Sequence, residues 1–101
     1  MRLTLEEIID QMAHGSWGKG GPAPAIPRLN ISAYQFGTEC LSGDVEAGNA
    51  TSFPMSIGMG ATFDPVLIYL VARATGIEVR AKHNSYIKAK EYGMHTGLSC
   101  W

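Results

Sequence analysis

Charge is scarce in this sequence and belongs to neither sign. Charged residues make up 17% of the 101 positions, eight Lys and Arg stand against nine Asp and Glu, and the formal net charge is −1. No two basic residues are adjacent, so there is no electrostatic footprint for nucleic acid or for an anionic membrane. Cysteine is nearly absent. Cys40 and Cys100 cannot make a disulfide framework, and neither belongs to a metal-binding CxxC. A single bridge between them is one reading; two buried free thiols are the expected one. No run approaches 18 apolar residues, which excludes a membrane-spanning helix. The first seven residues are too acidic and too poor in apolar side chains for a signal peptide. Glycine, by contrast, is plentiful, with 12 residues beside five prolines. A hydrophobic fraction of 46% suffices for a folded domain, but so much turn material leaves little chain for a self-sufficient core. The length allows one domain or one piece of a larger one.

The local signals start with a helix over residues 4–14. Thr4 and Glu7 have the spacing of a capping box, Leu5, Ile8, Ile9 and Met12 share a face, and Gly15 is a stop. Residues 15–27 hold four glycines and three prolines and read as loop. Alternation and β propensity predict a strand over about 29–36, and residues 57–61 a short strand or turn. Asp64-Pro65 is a strong helix start, and the pattern predicts helix over 65–83. One face would carry Leu67, Leu70, Val71, Ala74, Glu78 and Ala81, with Ile77 beside it, Gly76 packed against a neighbour and Glu78 paired with Lys82. A buried strand is expected from residue 97. Strand, loop, long helix and strand in this order is the repeat of parallel α/β folds. Two strands cannot cover a parallel sheet, so the chain reads as an incomplete first portion of an α/β barrel or doubly wound sheet.

In such folds the loops after the strands build the site, which singles out Glu39, two or three residues past the predicted strand. A carboxylate there can bind sugar hydroxyls or transfer a proton. Asp44 and Glu46 add carboxylates nearby, the residue type used in glycoside hydrolysis. His14, His83 and His95 lack metal-ligand spacing, and His14 and His83 suit helix ends. No serine lies in a nucleophile elbow, and the glycines of residues 15–21 do not form a phosphate loop. Trp17, Tyr34, Phe36 and Trp101 can stack on sugars or pack a core. Asn30-Ile31-Ser32 and Asn49-Ala50-Thr51 are glycosylation sequons.

Several ordered segments together resemble the glycoside hydrolase family 3 enzymes. Leu-Thr-Leu-Glu-Glu-Ile-Ile-Asp-Gln-Met over 3–12 is similar to their opening helix. Pro-Ala-Ile-Pro-Arg-Leu-Asn-Ile over 24–31 and Tyr-Gln-Phe-Gly-Thr-Glu-Cys-Leu over 34–41 resemble the first barrel strand and its glutamate-bearing loop. Thr-Ser-Phe-Pro over 51–54, Ala-Thr-Phe-Asp-Pro over 61–65 and Glu-Val-Arg-Ala-Lys-His-Asn over 78–84 follow in order. Gly-Leu-Ser-Cys-Trp over 97–101 is similar to the next strand. The likeness is greatest to the β-xylosidase and α-arabinofuranosidase-like branch, in particular to animal members carrying the run seen here at 39–48.

The resemblance implies the first portion of a (β/α)8 TIM barrel and a parent that is an exo-acting retaining glycosidase, secreted or extracellular. Its substrates would be β-linked xylo- and arabino-oligosaccharides, hydrolysed with no metal or organic cofactor. Glu39 matches the position that hydrogen-bonds the non-reducing sugar. Where the family often has Leu-His-Gly-Val, this chain has Leu41-Ser42-Gly43-Asp44-Val45, with an inserted aspartate. The catalytic carboxylates fall beyond residue 101, and Asp10, Asp44 and Asp64 do not replace them. The chain alone is therefore expected to fold poorly and to be inactive. The other reading is a small non-catalytic carbohydrate-binding or interaction protein of the same descent.

Overall fold

A computed structural model describes residues 2–13, 23–93 and 95–100. His14, the stop at Gly15, the glycine-rich stretch, Trp17 and Trp101 lie outside the described residues. Helix α1 covers Leu5–Ala13. Its capping box is formed: the Thr4 N–H donates to Glu7 Oε2 at 2.8 Å, and the Glu7 N–H donates to Thr4 Oγ1 at 3.2 Å. The same carboxylate takes Arg28 Nη2 at 2.5 Å and Nε at 3.1 Å, and Gln11 donates to the Pro24 carbonyl at 2.7 Å. These bonds dock α1 on residues 24–28.

The strand expected over 29–36 is instead a tight turn and its return arm. Pro27–Leu29 is one 3-10 turn, and Asn30 ends it in the left-handed region with φ 55°. Pro27 presets the turn and Asn tolerates positive φ, and β propensity registers neither. Ile26 and Ile31 exchange backbone hydrogen bonds of 2.9 and 3.1 Å, and Ala23 and Tyr34 do the same at 2.8 and 3.0 Å. The first strand of the sheet, β1, is only Gly37–Thr38.

Residues 57–61 correct another expectation, because Ser56–Gly60 is a short helix, α2. Helix α3 runs over Pro65–Ala89, past the expected end at 83. Its start is as read: Asp64 Oδ1 accepts the N–H groups of Val66 at 3.0 Å and Leu67 at 3.1 Å. Three polar side chains hold its last turns, which a search for apolar periodicity misses. Lys82 reaches the Asp44 carbonyl at 2.7 Å, His83 the Thr96 carbonyl at 2.8 Å, and Tyr86 the Ala47 carbonyl at 2.8 Å. His83 is thus inside the helix rather than at its end. The expected apolar face is also rotated. Thr75 and Val79 are the buried residues of α3, whereas Leu70 and Ile77 are more than half exposed. No described residue comes within 4 Å of a Cβ built on Gly76, so the close packing expected there is not seen among the described residues.

Strand β2, Ser99–Cys100, begins two residues later than expected, is exposed rather than buried, and pairs with β1 in parallel, Gly37 with Ser99 and Thr38 with Cys100. Parallel neighbours need a crossover, and α3 supplies it. A Cβ on Gly97 would lie 2.4 Å from the Gly37 nitrogen and 2.5 Å from the Phe36 carbonyl carbon, so only glycine lets the two backbones approach this closely. The register brings Cys40 and Cys100 to a Cα separation of 5.5 Å, and they form a disulfide. This overturns the expectation of free thiols, because the pairing that joins them spans 60 residues and leaves no local trace. The apolar core is small. Ala23, Ile26, Ala47 and Val79 are its buried members among the described residues. A radius of gyration of 16.1 Å, against about 13 Å for a compact chain of this length, fits so thin a core.

Candidate functional site

Glu39 follows β1 directly, at the end of the parallel pair where side chains of an α/β sheet converge. Both of its neighbours are anchored. On one side the fully buried Thr38 donates its hydroxyl to Asp44 Oδ1 at 3.1 Å. Asp44, 1% exposed, faces Lys82 of α3, whose ammonium stands 3.7 Å from Oδ2. On the other side Cys40 is tied to β2 through the disulfide. Glu39 is half-buried as a residue, and its carboxylate accepts the Leu41 N–H, which folds it back over its own loop.

The loop closes behind Glu39 through backbone contacts. Phe53 N–H donates to the Ser42 carbonyl and Ser56 N–H to the Leu41 carbonyl, both at 2.9 Å. Gly43 sits at φ +89° with the Thr51 carbonyl 2.4 Å from where a Cβ would stand, so a side chain there is excluded. Thr51 in turn donates its N–H and its hydroxyl to Glu78 of α3, at 3.0 and 2.5 Å. The two helix-borne contacts, from Lys82 and Glu78, thus position the loop from behind. Glu78 and Lys82 were expected to pair with each other; each instead bonds to the loop.

The acidic groups around Glu39 differ in character. Burial pushes the Asp44 carboxyl above the usual aspartate range, against the opposing pull of the Lys82 charge and the Thr38 and Lys82 hydrogen bonds. The Thr51 hydroxyl and N–H hold Glu78 below the usual range. Glu46 is exposed and pairs with His95 at 3.0 Å. Asp44 and Glu46 therefore do not form a matched carboxylate pair: one braces the loop interior, the other caps a histidine.

Tyr34 and Phe36 meet edge to face at 4.9 Å and stay well exposed. A groove of about 560 Å³ lies between residues 46–48 and the end of α3, with Tyr86, Glu91 and Tyr92 on its wall. A more apolar cleft of about 370 Å³ lies beside the disulfide, between α2 and α3. Glu39 lines neither. Among the described residues no group of three His, Cys, Asp or Glu could hold a metal ion, and no helix is long and apolar enough to cross a membrane. Asn30 and Asn49 are both exposed. Sequence reasoning did not single out Thr38, Thr51 or the bracing roles of Asp44 and Lys82, whose partners lie up to 38 residues away.

The loop that bears Glu39 lies inside a stretch with clear relatives. The chain is 41% identical over 83 residues to the xylan 1,4-beta-xylosidase of Xylanibacter ruminicola, covering 82% of the chain and 9% of that protein. This chain is related to the β-xylosidases. A probable beta-D-xylosidase 7 of Arabidopsis thaliana is 33% identical over 110 aligned positions, covering 99% of the chain and 12% of that protein. A probable exo-1,4-beta-xylosidase bxlB of Aspergillus flavus is 37% identical over 110, covering 98% of the chain and 12% of that protein. The chain thus spans about a tenth of the length of these relatives. No protein-family model and no solved structure matches it.

Proposed function

We propose that this chain forms the opening strands of a barrel domain of the glycoside hydrolase family 3 type, in a retaining β-xylosidase. Glu39 grips hydroxyls of the terminal, non-reducing sugar of xylo- or arabino-oligosaccharides. The observation that carries the reading is alignment over 82% of the chain with a bacterial xylosidase and over 98–99% with plant and fungal ones. The parallel pair with a helical crossover and a glutamate directly after its first strand is consistent with it. So are the exposed apolar side chains of α3, among them Val66, Tyr69 and Leu70, which suit a helix packed against further barrel elements. Glu39 acts here by binding; the nucleophile and the acid/base come from outside these residues.

The test is to express the reading frame that carries this chain together with the sequence downstream of residue 101, and to assay an aryl β-D-xyloside. Turnover with retention of anomeric configuration is expected. Glu39→Ala should lower kcat/KM by about 10- to 150-fold, the worth of a charged hydrogen bond made to substrate. A folded product without glycosidase activity overturns the reading, and an unchanged kcat/KM in Glu39→Ala removes Glu39 from it.

A further inference from the structure

We propose that Asn49 is an N-linked glycan acceptor and that it is modified in preference to Asn30. This stands apart from the xylosidase reading. Its first support is the disulfide, because a bridge such as Cys40–Cys100 forms and persists in an oxidising compartment, where secreted chains also receive glycans. Its second support is exposure: both sequon asparagines lie on the surface. Gly48, just before Asn49, has φ +99°, and no described atom lies within 4 Å of where a Cβ would stand, so the backbone entering the sequon is open on that side.

The preference comes from the contacts that occupy each sequon. In glycan transfer the asparagine amide nitrogen attacks the first sugar carbon of a lipid-pyrophosphate-linked oligosaccharide. The new carbon–nitrogen bond replaces the sugar–phosphate bond, the lipid pyrophosphate leaves, and the amide gives up one proton. The enzyme must hold the asparagine and the hydroxyl two residues later, so that stretch has to be unfolded or mobile when it is presented.

Asn30 lies in a turn whose backbone hydrogen bonds are local, although the Arg28 side chain within it also reaches Glu7 and the Arg2 carbonyl. The Asn30 N–H bonds the Pro27 carbonyl at 3.0 Å, and Ile31 exchanges hydrogen bonds with Ile26. Contacts this close in sequence close within microseconds. Among the described residues, the hydrogen bonds that fasten the Asn49 sequon run from Thr51 to Glu78, 27 residues onward and in the middle of α3. Until that helix exists and docks, the Thr51 hydroxyl is free to be recognised.

The test is to secrete the full chain from an animal cell line behind a cleavable leader and to map medium and lysate by mass spectrometry. Peptide N-glycosidase in heavy-oxygen water converts each glycosylated asparagine to a labelled aspartate. Transfer precedes export, so the lysate reports the sites even if the chain is retained. The expected result is more label at Asn49 than at Asn30, loss of one glycan in Asn49→Gln, and increased Asn30 label in Pro27→Gly, which loosens the turn. No label at Asn49 overturns the site. Equal or greater label at Asn30 in the unaltered chain overturns the preference.

Discussion

Replacing Cys100 by Ser cuts the covalent tie between the ends of β1 and β2. The bridge closes a loop with a sequence separation of 60, and chain entropy for a loop of that size corresponds to about 4 kcal/mol. That is a large share for this molecule. Chains of this size have roughly 5–15 kcal/mol of stability in total. Here the buried apolar residues are two alanines, one isoleucine and one valine among those described. The assay is urea unfolding followed by far-ultraviolet circular dichroism, which reads mainly the 25 residues of α3. With a urea slope of about 1–3 kcal/mol per M, Cys100→Ser should lower the midpoint by roughly 1.3–4 M. Cys40→Ser and the double variant should match it, because all three lose the same bond. The reasoning fails if reduced and oxidised protein unfold at the same midpoint. It fails equally if the two single losses add in the double variant.

Other outcomes follow from the bracing contacts. Asp44 is raised above the ordinary aspartate value of 3.8 by burial, so the folded state holds its proton more tightly than the unfolded one. Stability should therefore fall as pH rises from that ordinary value through the raised one, and Asp44→Asn should lose this trend. Parallel urea midpoints for the two proteins across that range would contradict it. Glu7, lowered by Arg28 and Thr4, and Glu78, lowered by Thr51, work in the opposite sense. Their contributions are complete above the ordinary value of 4.5 and are lost as pH falls through the lowered ones. Gly97→Ala places a methyl against the backbone of Phe36 and Gly37 and should destabilise by about 1–3 kcal/mol, read as a lower urea midpoint. Asp64→Ala removes the cap of α3 at a cost of about 0.5–2 kcal/mol, whereas Asp64→Ser should recover most of it; helical signal on heating distinguishes the two.

What was legible in the sequence was local. The Thr4–Glu7 box and the Asp64-Pro65 start join groups within three residues, so their spacing alone specifies the contact. What was missed depends on partners far along the chain. The disulfide needed the β1–β2 register, and the last turns of α3 needed the carbonyls of Asp44, Ala47 and Thr96. The strand expected over 29–36 failed for another reason: alternation of apolar residues is blind to a turn set by Pro27 and Asn30. For the candidate site, Glu39 was singled out by its place after a strand expected over 29–36; the structure sets it directly after β1, Gly37–Thr38, instead. The side chains that hold its loop, Thr38, Asp44 and Lys82, carry no pattern that spacing could reveal.

The brevity of the two strands bears on how this chain would self-associate. A parallel pair has two outer edges, and an open edge is a template on which another molecule can add a strand. With two residues each, β1 and β2 give such a template room for very few hydrogen bonds. The exposed apolar side chains of α3 offer far more surface to a second molecule. Association at high concentration is thus expected to retain helix and reverse on dilution, rather than to grow as cross-β fibrils.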